Sequence, residues 1–505
     1  MLGDNPGALL SAALVARMGL SVLVLPFNPG AHAYVSKSGQ CFDPEPNFII
    51  GLGRMEQNRA LVSECLHKLG MLPSEASRII REGALPQAVT PSHRLALCHD
   101  DEQFQREIDR EFGQNAVAAG FAARALARAE MPVRAFWRAL PDRLTLLPPK
   151  AKRPADEPRS IRDVMKNLSR AARHMPSARG ELVWFADRLD LDGFAESKKL
   201  EGFTEVMRAL SHGIGGGNGA DAPLLSELLH ILVAGRTGAS FQGGVTAYRE
   251  FLLRLAKRLG AHVPPKWECK RLFVEKGRLI GAQVAGRGNV VGVKGGVLGC
   301  SLDHAREYIS FSGRRGGRML KYSPKSAGWR FTVALTVHAE AVPPGMSPRI
   351  VWQEEGAPAL EAEIVNPADY GSAESGVKWI FMRAALAFDR ETLKVGALRM
   401  TAARMLRQMT EIMPFLEYHI VRIYPDFRTD NKEISEAYSY AALEYIPDNM
   451  RFCDGKGIGS NTGVEGLFAV SGESYPALGS FGQTVAALES AAWIAHRSGL
   501  AGPLA

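Results

Sequence analysis

An α/β fold, with one discontinuous nucleotide-binding-type domain and a second α+β substrate or cap domain, is predicted by three features of the sequence. The chain opens on a glycine turn, a helix of small residues and a buried strand, "MLGDNPGALLSAALVARMGLSVLVLP". Its middle carries a glycine pair that starts an amphipathic helix, "FQGGVTAYREFLLRLAKRLGAHV", followed by short strands separated by glycine turns. It closes on a strand, a glycine-acid turn and a long small-residue helix, "GVEGLFAVSGESYPALGSFGQTVAALESAAWIAHRSG". Strands alternating with helices in this way favour a parallel sheet.

The opening stretch sets the first expectation. A dinucleotide-gripping turn reads G-x-G-x-x-G: one glycine for the tight turn, one for approach of a pyrophosphate, one for close helix packing, and then an acid at the end of the next strand for a ribose hydroxyl. Laid over this chain, the three positions are Gly3, Asn5 and Ala8, with Pro6 between them, so only the first glycine is kept. Leu9, Ala12, Ala13 and Ala16 share one helical face, Gly19 stops the helix, and Ser21 to Leu25 form a buried strand. Pro26 stands where the acid belongs. Only Met1 and Leu2 precede Gly3, against the roughly five residues of an ordinary strand, so the first strand is expected to be short or completed from elsewhere. Asp4 brings a negative charge into the turn, where a carboxylate caps a helix and repels a diphosphate. A working grip and a ligand-free βα turn both remain open at this point.

Composition bounds the rest. With 505 residues, 46% apolar content and 51 glycines, the chain can bury a large core and is expected to form two or more lobes. No apolar run reaches the roughly 18 residues of a membrane span, and the start lacks the basic-then-apolar order of a leader, which favours a cytoplasmic location. The six cysteines, Cys41, Cys65, Cys98, Cys269, Cys300 and Cys453, form no C-x-x-C pair, so no metal site is expected and the thiols read as reduced. A net charge of +8 is compatible with an anionic partner or membrane surface and requires neither.

Along the chain, "GQCFDPEPNFIIGLG" (Gly39 to Gly53) leads to a helix ending "LHKLGML". From about Leu97 to Leu210 the pattern is helical, with Phe104, Ile108 and Phe112 on one face and Ile161, Val164, Met165 and Leu168 on another, interrupted by an exposed loop from Pro148 to Ser160. "RFTVALTVHA" and "VKWIFMRAAL" read as strands of a second sheet, and a helix is expected around Leu398 to Ile412. The middle strands turn at Gly277 and Gly286 to Gly288 and form a β-meander. His32, His93, His212 and His230 are scattered and read as ordinary core or surface residues. The basic stretch from Gly313 to Lys325 reads as a solvated loop, and without interleaved aromatics it gives no support to nucleic-acid binding.

Taken in order, these motifs resemble the phytoene desaturase and amine oxidase group of FAD-dependent oxidoreductases over nearly the whole chain. The resemblance implies a Rossmann-like FAD/NAD(P)-binding domain built from residues 1–75, 240–325 and 431–505, with residues 76–239 and 326–430 as the substrate or cap domain. It implies FAD as cofactor, gripped by Gly3, Asn5 and Ala8, by the central pair Gly243 and Gly244, and by Gly472 and Glu473 near the ribityl and pyrophosphate. Ser480, Phe481 and Gly482 match the helix start beneath the flavin ring, and the strand Trp267 to Leu272 matches the one beside the adenine. "NPGAHAY" departs from the family's G-G-R. Losing the ribose acid alone costs on the order of 1 to 3 kcal/mol.

Two functions follow. One is hydride transfer to flavin from a C–H or C–N bond of a lipophilic substrate held in an apolar tunnel, with peripheral membrane attachment in keeping with such a substrate. The other is a cofactor-free pseudoenzyme acting as a binding or structural subunit, as an oligomer or in a complex with a lipid, peptide or protein partner.

Overall fold

A computed structural model describes residues 1–25, 34–35, 41–42, 45–55, 58–59, 61–81, 85–98, 100–113, 201–213, 231, 237–264, 267–285, 290–300, 302–312, 328–354, 359–387, 391–429, 432, 442–444, 459–475 and 480–500. Pro26, the Ile161 to Leu168 helical face, the loop from Pro148 to Ser160, the basic stretch from Gly313 to Lys325, His32 and His230 lie outside the described residues.

The first lobe is organised by parallel pairing. Strand β12 (Gly296–Leu298) lies parallel to β20 (Leu467–Ala469). On the other side of β12, Leu2 makes parallel bridges to both Leu298 and Leu25, and Leu23 bridges to His262. The order across the sheet is therefore His262, residues 22–25, residues 1–2, β12 and β20. Main-chain bonds run through it: Leu2 N to Val297 O at 2.8 Å, Leu25 N to Met1 O at 2.9 Å and Val470 N to Leu298 O at 2.8 Å. Two residues serve as the central strand because neighbours on both sides supply partners for their backbone groups.

Helix α1 (Pro6–Arg17) is buried from Gly7 through Ala16, enclosed by α6 (Gly244–Arg258) and α9 (Ser480–Arg497). Its alanines and those of α9 let the two axes approach, and Ser11 Oγ meets Ser490 Oγ at 2.9 Å in the seam. Helices α2 (Leu61–Lys68) and α3 (Pro73–Ile79) come next in the chain, and α7 (Leu302–Tyr308) follows β12. The short strands β1 (Tyr34–Val35) and β2 (Cys41–Phe42) pair with each other, as do β3 (Arg54–Met55) and β4 (Asn58–Arg59). The meander is present as β9 (Glu268–Glu275), β10 (Arg278–Ala285) and β11 (Val290–Gly292), with β13 (Ile309–Ser312) parallel to β9. Lys276 and Gly277, both at positive φ, make its first two-residue turn. The strand expected at Trp267 to Leu272 thus belongs to the meander; the parallel position beside residues 22–25 is held by His262.

The second lobe is one eight-stranded sheet. Its order is β18 (Ile420–Tyr424), β14 (Gly328–His338), β17 (Val377–Ala387), β16 (Leu360–Val365), β15 (Arg349–Trp352), β6 (Gln87–Val89) and β7 (Arg94–Ala96), with β19 (Ala442–Glu444) also on β14. Residues 442–444, expected with the first lobe, join this sheet because Leu443 pairs with Trp329. Two-residue alternation gives each strand two faces. Phe331, Val333, Leu335, Ile380 and Met382 meet α8 (Val395–Ile412) through Leu398, Ala402, Met405 and Met409. Helix α4 (Asp101–Phe112) buries Phe104 and Ile108 as its periodicity predicts, and α5 (Glu201–Gly213) packs on β6 and β15. Strand β5 (Ile80–Arg81) pairs with β8 (Ser240–Phe241), where the chain passes into α6.

Candidate functional site

In an open parallel sheet, ligands are taken at the carboxyl ends of the strands, beside the N-termini of the helices that follow. Most sequence-predicted residues gather there. Gly3, at φ +104°, lies so close to the next strand that an added Cβ would stand 2.8 Å from the Gly299 carbonyl carbon. Asn5 is the N-cap of α1: its Oδ1 accepts from Ala8 N at 2.7 Å, and its Nδ2 donates to Val470 O at 2.7 Å. Asp4 is nearly buried and meets Arg249 of α6 at 2.7 Å. The cap is therefore made by Asn5, and the Asp4 carboxylate is turned to the guanidinium.

At the end of β20, Gly472 faces open space while Glu473 is fully buried, its Oε2 accepting from Leu302 N at 3.1 Å at the head of α7. Burial first, and then the Glu473 charge, push the nearby Cys300 thiol up to about 12. Ser480 Oγ accepts from Ile50 N at 3.2 Å. Phe481 packs against Gly51, and Gly482 is required because an added Cβ would fall 2.3 Å from Tyr475 O. Tyr475 OH donates to Glu489 Oε2 at 2.6 Å, and burial holds the Glu489 carboxyl above its ordinary range.

Gly243 and Gly244 are placed differently. Both have positive φ at the start of α6. Gly243 lines a separate cavity of about 700 Å³ with Phe241, Thr246, Arg254, Asp369 and Tyr370. By the 100° step of a helix, the α6 residues lining that cavity cluster on the side away from Arg249, and hence away from Asp4 and the α1 turn.

Sequence reasoning missed a charged lattice on the second sheet. On the face opposite α8, the buried Arg383 Nη1 meets Glu363 Oε2 at 2.9 Å and its Nη2 donates to Glu45 O at 2.9 Å. Asn47 N donates to the same Glu363 oxygen at 3.3 Å, and the Arg349 guanidinium lies 4.6 Å from the centre of the Phe48 ring. His212 Nε2 of α5 stands 3.6 Å from Glu361 Oε1. Burial opposes ionisation of Glu361, yet Arg330, His212, Arg383 and Arg349 together hold its carboxyl below the usual range. The available signal was the spacing of Glu361 and Glu363 in "LEAEIV", two acids on one face of an apolar strand.

The resemblance implies FAD, whose diphosphate would lie at the start of α1. A pyrophosphate takes free N–H groups at the α1 mouth. There the Ala8 N–H is already bonded by Asn5; outside that mouth, the Leu302 N–H is bonded by Glu473 and the Ile50 N–H by Ser480. At the α1 turn the capped Ala8 N–H and the Asp4 carboxylate do not fit a closely held diphosphate.

No protein-family model matches the chain, and no curated protein matches it in sequence. Solved structures match it in fold. An oxidoreductase from Methanosarcina mazei is 13% identical, with 95% of this chain and 98% of that chain covered at a TM-score of 0.54. Cyclohexylamine oxidase from Brevibacterium oxydans is 12% identical, with 99% and 98% covered at 0.51. The chain shares the overall fold of these two structures, a mixed α/β architecture in line with the α/β class expected from the sequence. Among the described residues, no helix is long and apolar enough to cross a membrane.

Proposed function

We propose that this chain keeps an oxidoreductase fold as a scaffold and works without a cofactor, as a binding or structural subunit. The observation that carries this reading is the lattice of Arg383, Glu363, Asn47 and Glu45. In the flavin-dependent reading, the inner face of the second sheet borders an apolar tunnel to the flavin. In this chain that face is buried and carries charged residues beside the aromatic cluster of Trp379, Phe381 and Tyr424, and its charged part is bonded directly to residues 45–48. The ion pair lies within the sheet and its hydrogen bonds to the Glu45 carbonyl and the Asn47 N–H hold that segment against it; a buried pair of this kind is costly to break singly, which suits a scaffold better than a substrate channel.

The reading is tested by the visible absorption of the purified protein and by reduction of an artificial electron acceptor. A colourless protein, inactive with and without added FAD, is expected. Stoichiometric flavin with acceptor reduction would replace this reading with hydride transfer from a C–H or C–N bond.

A further inference from the structure

The rim of the parallel sheet shows more than missing glycines. Three backbone N–H groups, from Ala8 in the first turn of α1, Leu302 at the head of α7 and Ile50 against the head of α9, each bond a side-chain oxygen of this same chain: Asn5 Oδ1, Glu473 Oε2 and Ser480 Oγ. Of the three, Asn5 has the shortest bond and the widest reach, since its other amide atom is fixed to Val470 O at the end of β20, one strand beyond β12. Its side chain thus spans the first turn and the last strand. An added Cβ on Gly299 would lie 3.2 Å from Asn5 Oδ1, so the oxygen is held close on that side as well.

We propose that Asn5 is the residue that shuts nucleoside diphosphates out of this fold, its amide oxygen taking the helix N–H that a diphosphate oxygen would need. The proposal deepens the cofactor-free reading and rests on it. The physical reason is competition for one donor. A phosphate oxygen arriving at α1 must break the Asn5–Ala8 bond, and it must do so beside Asp4, whose charge is of the same sign. The Arg249 guanidinium that could answer the phosphate is already bonded to Asp4 at 2.7 Å. Glycine at position 5 removes the competing oxygen and the bond to Val470 together, and it reopens the approach of the backbone to a diphosphate.

Titration calorimetry with ADP tests this, because ADP carries the diphosphate and ribose without the flavin. Wild type is expected to give no heat of binding. Asn5→Gly is expected to bind at least about tenfold more tightly than the weakest affinity the instrument resolves, with a rise in melting temperature on adding ADP. Asn5→Asp keeps a capping oxygen and is expected to exclude ADP as wild type does. If Asn5→Gly does not fold, Asn5→Ala removes the same two bonds and is read in its place. Wild type binding ADP as tightly as the variant would overturn the role of Asn5. So would a folded variant that binds none, and that outcome would leave the cofactor-free reading standing. Flavin in the purified wild type would instead overturn the cofactor-free reading itself.

Discussion

Asn5 and Val470, 465 positions apart, are joined by a 2.7 Å bond from a side-chain amide to a backbone carbonyl. The same side chain caps α1. Replacing Asn5 by alanine removes both bonds and is expected to lower stability by about 1 to 2 kcal/mol, the usual cost of a lost N-cap. Asn5→Ser keeps a capping oxygen and loses only the donor to Val470, so urea unfolding is expected to place it between alanine and wild type. Equal loss in both variants would mean that the Val470 bond carries the effect.

Gly3 and Gly19 both have positive φ, with different surroundings. Beside Gly3 an added methyl meets the Gly299 backbone at 2.8 Å, whereas around Gly19 nothing lies within 4 Å. Gly3→Ala is expected to cost more than about 2 kcal/mol, because backbone strain and a clash with another backbone act together. Gly19→Ala is expected to cost about 1 kcal/mol, the conformational part alone. Thermal unfolding of the two variants checks the difference.

Asp4 and Arg249 tie the first turn to α6 with side chains 11% and 15% exposed. Arg249→Met removes the guanidinium that faces this largely buried carboxylate, at a cost of about 3 kcal/mol. The pair Asp4→Leu with Arg249→Met is expected to lose less than the sum of the single changes, since the attraction between the two charges is counted in both single losses and removed only once in the pair. A double-mutant cycle by chemical denaturation reads the coupling, and additive losses would show that the pair contributes nothing.

Two carboxyls give the stability curve opposite slopes. Glu489 is held above its ordinary value of 4.5 by burial, so its neutral form favours the fold and its contribution is lost as pH rises above that value. Glu361 is held below 4.5 by the arginines and His212 around it, so its contribution is present above 4.5 and is lost as pH falls below it. Glu489→Gln is expected to flatten the loss on the rising side and Glu361→Gln the loss on the acid side. Unfolding free energy measured across pH would show unchanged slopes if these assignments are wrong.

Much of the fold was legible because local chemistry sets it. The small-residue helix after Gly3, the turn at Lys276 and Gly277, the strands "RFTVALTVHA" and "VKWIFMRAAL" and the helix near Leu398 are each specified by periodicity or by residues that tolerate positive φ. The candidate site was legible in part: the sequence marked Asn5 and Glu473 as positions where a dinucleotide fold carries function.

What each of those side chains binds was decided by tertiary structure alone. Val470 reaches Asn5, and Leu302 reaches Glu473, only through the parallel order of residues 1–2, β12 and β20, a relation between distant segments that no local pattern contains. The same holds for the charged sheet face. Glu361 and Glu363 alternate visibly in the sequence, but the partners that make their burial tolerable come from other strands and from the other lobe. Residue type and spacing fix which atoms can bond; the folded chain decides which atoms meet, because hydrogen bonds and ion pairs act over a few ångströms of space and take no account of sequence separation.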